Sequence, residues 1–225
     1  MSKKIGCLLM HGFGGSIEEI KPLARHLEFC GYIVESPCLA GHTGNRKDLR
    51  GVTYQDWIRT AEEGYLKLQR ECTDIHLVGF SMGGLIAVNL ALKYEPCKIV
   101  TINTPIYYWD RKRMIRNILE DIREQKLKHL KRYFKSSGAV PFTALLNFRR
   151  LLVWTKPKLK EVKKPFLVIQ AEDDDTARSE SAAYIFNHVA SPEKSIRYYD
   201  RAGHMILWSE RAAEVMPAIE DFLKR

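Results

Sequence analysis

Apolar positions along this chain follow two rhythms that alternate. Short runs that are wholly or mostly apolar, Ile5–Met10, Ile75–Val78, Lys98–Ile102 and Phe166–Gln170, have the length and composition of strands buried on both faces. Tyr32–Ser36, stopped by Pro37, and Ser195–Tyr199 read as two more. Between these runs the apolar residues recur at helical spacing. Ile20, Leu23, Ala24 and Leu27 share one face, closed by Gly31. Trp57, Ile58, Ala61, Tyr65 and Leu68 share another, opened by the capping box Thr53-x-x-Asp56. Further helices are predicted from Leu85 to about Tyr94, over Ser179–Val189 and over Glu210–Leu223. Ser16-x-x-Glu19 also has the form of a capping box, but Pro22 would break a helix begun at Ile17, so the regular part starts nearer Pro22. Strand and helix in alternation predict βαβ units and a parallel sheet.

From 106 to 164 the rhythm changes. Ile115, Ile118, Leu119, Ile122, Leu127, Leu130 and Phe134 form apolar stripes on a helix studded with Arg and Lys, broken by Ser136-Ser137-Gly138. A second helical stretch carries Phe142, Leu145, Leu146, Phe148, Leu151 and Leu152. We read 1–225 as a single domain with a helical insertion at 106–164. The net charge of +9 belongs to that insertion: residues 107–164 hold seventeen Lys and Arg against five Asp and Glu, which leaves −3 on the remainder. No zinc-finger, RRM or glycine-rich phosphate signature accompanies the charge, so no nucleic-acid partner is expected. The basic face of Arg111, Lys112, Arg113, Arg116, Lys128, Lys131 and Arg132 is a solvated surface on the plainer reading. On a sharper one it is a weak electrostatic dock for an anionic membrane or an acidic head group.

No apolar stretch approaches about 20 residues, and the run after Met1-Ser2-Lys3-Lys4 is too short for a secretory signal. The five cysteines are odd in number and lie far apart, which suits reduced thiols and a cytoplasmic location. The composition does not suggest an oligomeric state.

The chemistry concentrates at Gly79-Phe80-Ser81-Met82-Gly83-Gly84, set between an apolar strand and a helical pattern. Strand, tight Gly-x-Ser-x-Gly turn and helix together form a nucleophile elbow, which lifts a serine hydroxyl to the top of a sheet. The N–H of Met82, at the helix start, is placed to hold a developing oxyanion. A serine hydroxyl needs a base, usually a histidine held by a carboxylate. His204 follows the last strand and an acidic run, Glu172-Asp173-Asp174-Asp175, follows the strand before it, so both fall at the same sheet edge as Ser81. His26, His76, His129 and His188 sit inside helix or strand patterns, His11 suits packing and hydrogen bonding, and His42 precedes the nucleophile. Spacing alone does not choose among the four acids.

The elbow, the His11-Gly12-Phe13 loop and the Gly203-His204 loop together resemble the α/β-hydrolase superfamily. Leu39-Ala40-Gly41-His42 and Tyr54-Gln55-Asp56-Trp57 narrow the resemblance to small bacterial carboxylesterases and monoacylglycerol lipases. The resemblance implies an α/β-hydrolase fold: a mostly parallel sheet flanked by helices, without the usual first strands, and with a short helical cap over an acyl pocket. It implies Asp174 as the acid of a Ser81–His204–Asp174 triad. Ala171 and Ala177 depart from the family pattern around it and leave Asp173 or Asp175 as alternatives. It implies Phe13 as the second oxyanion donor, small acyl esters of short to medium chain or monoacylglycerols as substrates, and neither metal nor organic cofactor. The apolar stripes of the insertion then either line the acyl pocket or only pack the cap onto the body. Thioesterase, acyltransferase and carbon–carbon bond hydrolase chemistry, or a non-catalytic binding role, remain alternatives on the same fold.

Overall fold

The computed structural model describes residues 4–107 and 140–225. The first helical stretch of the insertion and its basic face lie outside the described residues. Six strands alternate with helices: β1 (Ile5–Met10), α1 (Lys21–Phe29), β2 (Ile33–Glu35), α2 (Tyr54–Gln69), β3 (Asp74–Phe80), α3 (Met82–Tyr94), β4 (Lys98–Ile102), α4 (Phe142–Thr155), β5 (Phe166–Ala171), α5 (Glu180–His188), β6 (Lys194–Tyr199) and α6 (Ala212–Lys224). They form one sheet in the order β2-β1-β3-β4-β5-β6, with every neighbouring pair parallel. No helix among the described residues is long and apolar enough to cross a membrane.

The period-two geometry of a strand explains the continuous apolar runs. Leu8 and Met10 of β1, Ile75 and Leu77 of β3, and Phe166 and Val168 of β5 point into one core, with α2, α3 and α5. Cys7 and Leu9, Val78 and Phe80, and Leu167 and Ile169 point into the other, with α1 and α6. Both faces are covered, so alternation is lost and the runs are mostly apolar, with His76, Thr101 and Gln170 buried among them. Edge strand β6 has no fully buried residue: Ile196 packs against the first core and Tyr199 against the second, and Ser195, Arg197 and Tyr198 are exposed. Helix α2 starts with the capping box the sequence predicts: Thr53 N–H donates to Asp56 Oδ2 at 2.8 Å and Asp56 N–H to Thr53 Oγ1 at 3.4 Å.

The first predicted box fails. A single 3₁₀ turn, Ile17–Glu19, comes first, and α1 begins at Lys21 with Pro22 in its opening turn. Ser16 Oγ accepts from Glu18 N–H at 3.4 Å, but the Glu19 carboxylate turns away from Ser16. It accepts from Gly12 N–H, at 2.9 Å, in the loop after β1. A long-range backbone donor has taken the side chain that local spacing assigned to the helix cap.

Where β1, β3 and α3 meet, the packing leaves no room for side chains. A Cβ on Gly79 would stand 2.3 Å from the Gly83 carbonyl, and one on Gly83 would stand 2.2 Å from the Met10 carbonyl oxygen. Those obstacles are backbone and cannot rotate aside. Gly83→Ala should therefore lose about 3 kcal/mol or more of stability, read as a lower urea midpoint. A variant as stable as the parent would mean that α3 can lift off β1 freely.

Candidate active site

All the residues singled out by sequence, Ser81, Asp174, His204, Phe13 and Met82, fall on connections leaving the C-terminal ends of strands. In open α/β sheets this is the edge where ligands bind. Ser81, between β3 and α3, is held at φ 52°, ψ −120°, a left-handed region that side chains disfavour. Its N–H donates to Ile102 O at 2.8 Å and its carbonyl accepts from Gly84 N–H at 3.0 Å, which pins the turn from both sides. Met82 opens α3, so its N–H belongs to the first turn, whose donors have no partner within the helix.

His204 and Asp174 are brought together. The His204 Nδ1 lies 2.8 Å from Asp174 Oδ2, and Asp174 is almost fully buried. Asp174 Oδ1 accepts from Thr176 N–H at 2.7 Å and Ala177 N–H at 2.9 Å, so both oxygens are engaged. The neighbouring acids face elsewhere. Asp173 Oδ1 accepts from Ala202 N–H at 3.0 Å and Gly203 N–H at 2.9 Å, the backbone that carries His204. Asp175 accepts from the Thr176 hydroxyl at 3.1 Å.

Two supports were not legible as functional residues. Asn103, at φ 47° and fully buried just past β4, donates from Nδ2 to Gly203 O at 3.1 Å and His204 O at 2.8 Å. Its Oδ1 accepts from Ala171 N–H at 2.7 Å. One side chain thus ties three strand ends together; the only sequence signal was an Asn at a turn, where αL geometry is tolerated. Trp208, four residues after His204, donates its indole N–H to Glu18 O at 2.9 Å and joins the His204 loop to the turn that carries Glu19.

The loop holding Phe13 is built on two histidines. His11 Nε2 accepts from Leu39 N–H at 3.1 Å, and its Nδ1 donates to Gly12 O at 2.9 Å. His42 Nε2 accepts from Gly14 N–H at 3.0 Å, with Nδ1 toward the Leu39 and Ala40 carbonyls. Each ring must be neutral and protonated on Nδ1 to fill both roles. Burial, with His42 beside it, holds the His11 pKa down to about 4, and burial lowers that of His42 as well. Phe13 stacks on Phe148 of α4, ring centroids 5.1 Å apart.

A cavity of about 550 Å³ opens on this edge, and Phe13, Glu19, Ser81 and His204 line it. The apolar stripe of α4 divides between the two uses foreseen for it. Ala144, Leu151 and Leu152 pack into the core, Phe142, Leu145 and Leu146 line the cavity, and Phe148 does both. Among the described residues one cluster has metal-ligating donors, His26, Cys30 and Glu220 on the α1–α6 seam. None of the three lines the cavity, and Glu220 is already engaged by His26 at 2.8 Å and by Lys224.

A six-stranded parallel sheet with an elbow serine and a histidine–carboxylate pair at one edge is the architecture of an α/β hydrolase. Residues 7–218 match the model of the alpha/beta hydrolase family, and the chain belongs to that family as a hydrolase. It is 33% identical over 204 residues to the thermostable monoacylglycerol lipase of Bacillus sp. (strain H-257), covering 85% of this chain and 79% of that one. It is 25% identical over 225 residues to a carboxylesterase of Bacillus subtilis (strain 168), covering 97% and 92%. Among solved structures, one from work on the metagenome-derived lipolytic enzymes LipS and LipT superposes with a TM-score of 0.83 at 20% identity, over 100% of this chain and 96% of that one.

The two neutral histidines give a pH dependence. An unfolded chain takes up a proton on such an imidazole near pH 6.5; folded His11 does so only near 4. The unfolded state therefore binds more protons across that window, and stability falls as pH drops through it, by about 3 kcal/mol for His11. Urea unfolding between pH 7 and pH 4.5 should show a shallower decline for His11→Gln than for the parent; parallel declines would disprove the assignment.

Proposed function

We propose that this hydrolase cleaves carboxylic esters through an acyl-enzyme intermediate on Ser81. His204 takes the Ser81 proton as the hydroxyl attacks the ester carbonyl. Asp174 holds the imidazole in the tautomer with Nδ1 protonated and stabilises the imidazolium that forms. The N–H groups of Phe13 and Met82 receive the oxyanion. His204 then gives its proton to the leaving alcohol, and activates the water that releases the acid. The observation that carries this reading is the 2.8 Å contact between His204 and Asp174 in a cavity wall shared with Ser81. The substrates are short- to medium-chain acyl esters or monoacylglycerols. Supporting this are the apolar wall formed by Phe142, Leu145, Leu146 and Phe148, and the names of the curated relatives. Residues 106–164 then act as the cap over the acyl pocket, within one domain. A cytoplasmic location belongs to the same reading, and the five free thiols support it.

Two experiments test the proposal. Intact mass after treatment with a fluorophosphonate should show one adduct on the parent and none on Ser81→Ala, and Asp174→Asn should lower kcat by about 10⁴-fold on a p-nitrophenyl ester. Absence of an adduct on Ser81 would refute the mechanism. The basic stretch within 107–164 is proposed as a weak dock for anionic membrane. Co-sedimentation should rise with the anionic lipid content of liposomes and fall with salt; indifference to both would dispose of the dock.

A further inference from the structure

Glu19 has no part in the mechanism above, yet it lines the same cavity as Ser81 and His204. Its Oε2 accepts from Gly12 N–H at 2.9 Å. The point where a Gly12 Cβ would stand is 3.0 Å from that oxygen and 3.2 Å from Ser81 Cβ, so carboxylate and nucleophile flank one small volume. Burial raises the Glu19 pKa, while the Gly12 N–H, the imidazole of His204 and the guanidinium of Arg46 act in the opposite direction. The carboxylate therefore stands within electrostatic reach of the proposed base.

That neighbourhood identifies the side of the scissile bond. The proton that leaves with the alcohol comes from His204, so the alcohol must lie beside His204 during the first step. The acyl chain then takes the apolar side, against Phe142, Leu145, Leu146 and Phe148. A carboxylate offers roughly four acceptor positions, and one bond from Gly12 leaves it able to accept more.

We propose that Glu19 is an alcohol-side binding group, accepting hydrogen bonds from free hydroxyls of the leaving alcohol and so favouring esters of diols and triols over esters of simple alkanols. This rests on the ester-hydrolase reading. A plain alkanol has no hydroxyl left to donate once it is esterified; a polyol has. A carboxylate partly removed from water gains from such a donor and gains nothing from a methyl group.

The competing role for Glu19 is support of the oxyanion loop through Gly12 alone. The oxyanion is common to every ester, so that role predicts the same loss on all substrates. The experiment compares kcat and KM on glycerol monooctanoate and propyl octanoate, which share the acyl group and differ in free hydroxyls. The parent should favour the glycerol ester. In Glu19→Ala the preference should vanish, with a loss on the glycerol ester about 10–100-fold beyond that on the propyl ester, mostly in KM. Glu19→Gln, which keeps an acceptor for Gly12, should retain most of the activity on the propyl ester and only part of the preference. Equal losses on the two esters, or a parent without preference, would overturn the proposal while leaving the esterase reading intact. A parent inactive on both esters, with no fluorophosphonate adduct, would sink the two together.

Discussion

The steric contact between β1 and α3 governs everything else at this edge. Ser81 is held in a backbone region that costs about 1–3 kcal/mol for a side-chain-bearing residue. That is a large share of the roughly 5–15 kcal/mol that keeps a domain folded. The strain persists because relief is blocked. α3 lies so close to β1 that the Met10 carbonyl nearly touches Cα of Gly83, and the Ser81 N–H is bound by Ile102 on the next strand. The buried sheet is thus the fixed frame from which the hydroxyl projects, and the surrounding loops have only to be brought to it.

How they are brought follows one pattern: polar side chains, most of them buried, hold backbone, so each loop keeps its shape without regular structure of its own. Asn103 binds the carbonyls of the His204 loop and the N–H of Ala171. Asp173 takes the N–H groups just before His204, and Asp174 takes those just after itself. His11 and His42 perform the same service on the loop of Phe13. Asn103, Asp174, His11 and His42 are removed from water and are tolerable because they are hydrogen-bonded, whereas Asp173 binds its two N–H groups from the surface.

What the sequence disclosed, and what it hid, divides along the same physical line. The strands could be read because burial on both faces leaves an unbroken apolar run, and the elbow could be read because two glycines and a serine admit few other uses. The positions of Phe13, His204 and the acidic run could be placed at one edge because parallel topology puts every strand's C-terminal end there. Among Glu172, Asp173, Asp174 and Asp175 the pattern was uninformative, because which acid meets His204 depends on how the turn after β5 directs each successive side chain. Glu19 was misread for the opposite reason. Its spacing from Ser16 satisfied a local rule, while the donor it serves, Gly12, belongs to the preceding loop. The apolar stripe of α4 was ambiguous between packing and lining because one helix does both, with residues a turn apart.

The indole bond from Trp208 to Glu18 joins residues 190 positions apart in the chain. Ser81, its elbow and the loop of Phe13 all belong to the first half of the chain. The remaining side of the rim they form is supplied by residues near 208, about half the chain length beyond β4. Ser81 and His204 are therefore supplied by opposite halves of the chain. The two halves of this edge are thus joined by Trp208 at the surface and by Asn103 in the interior.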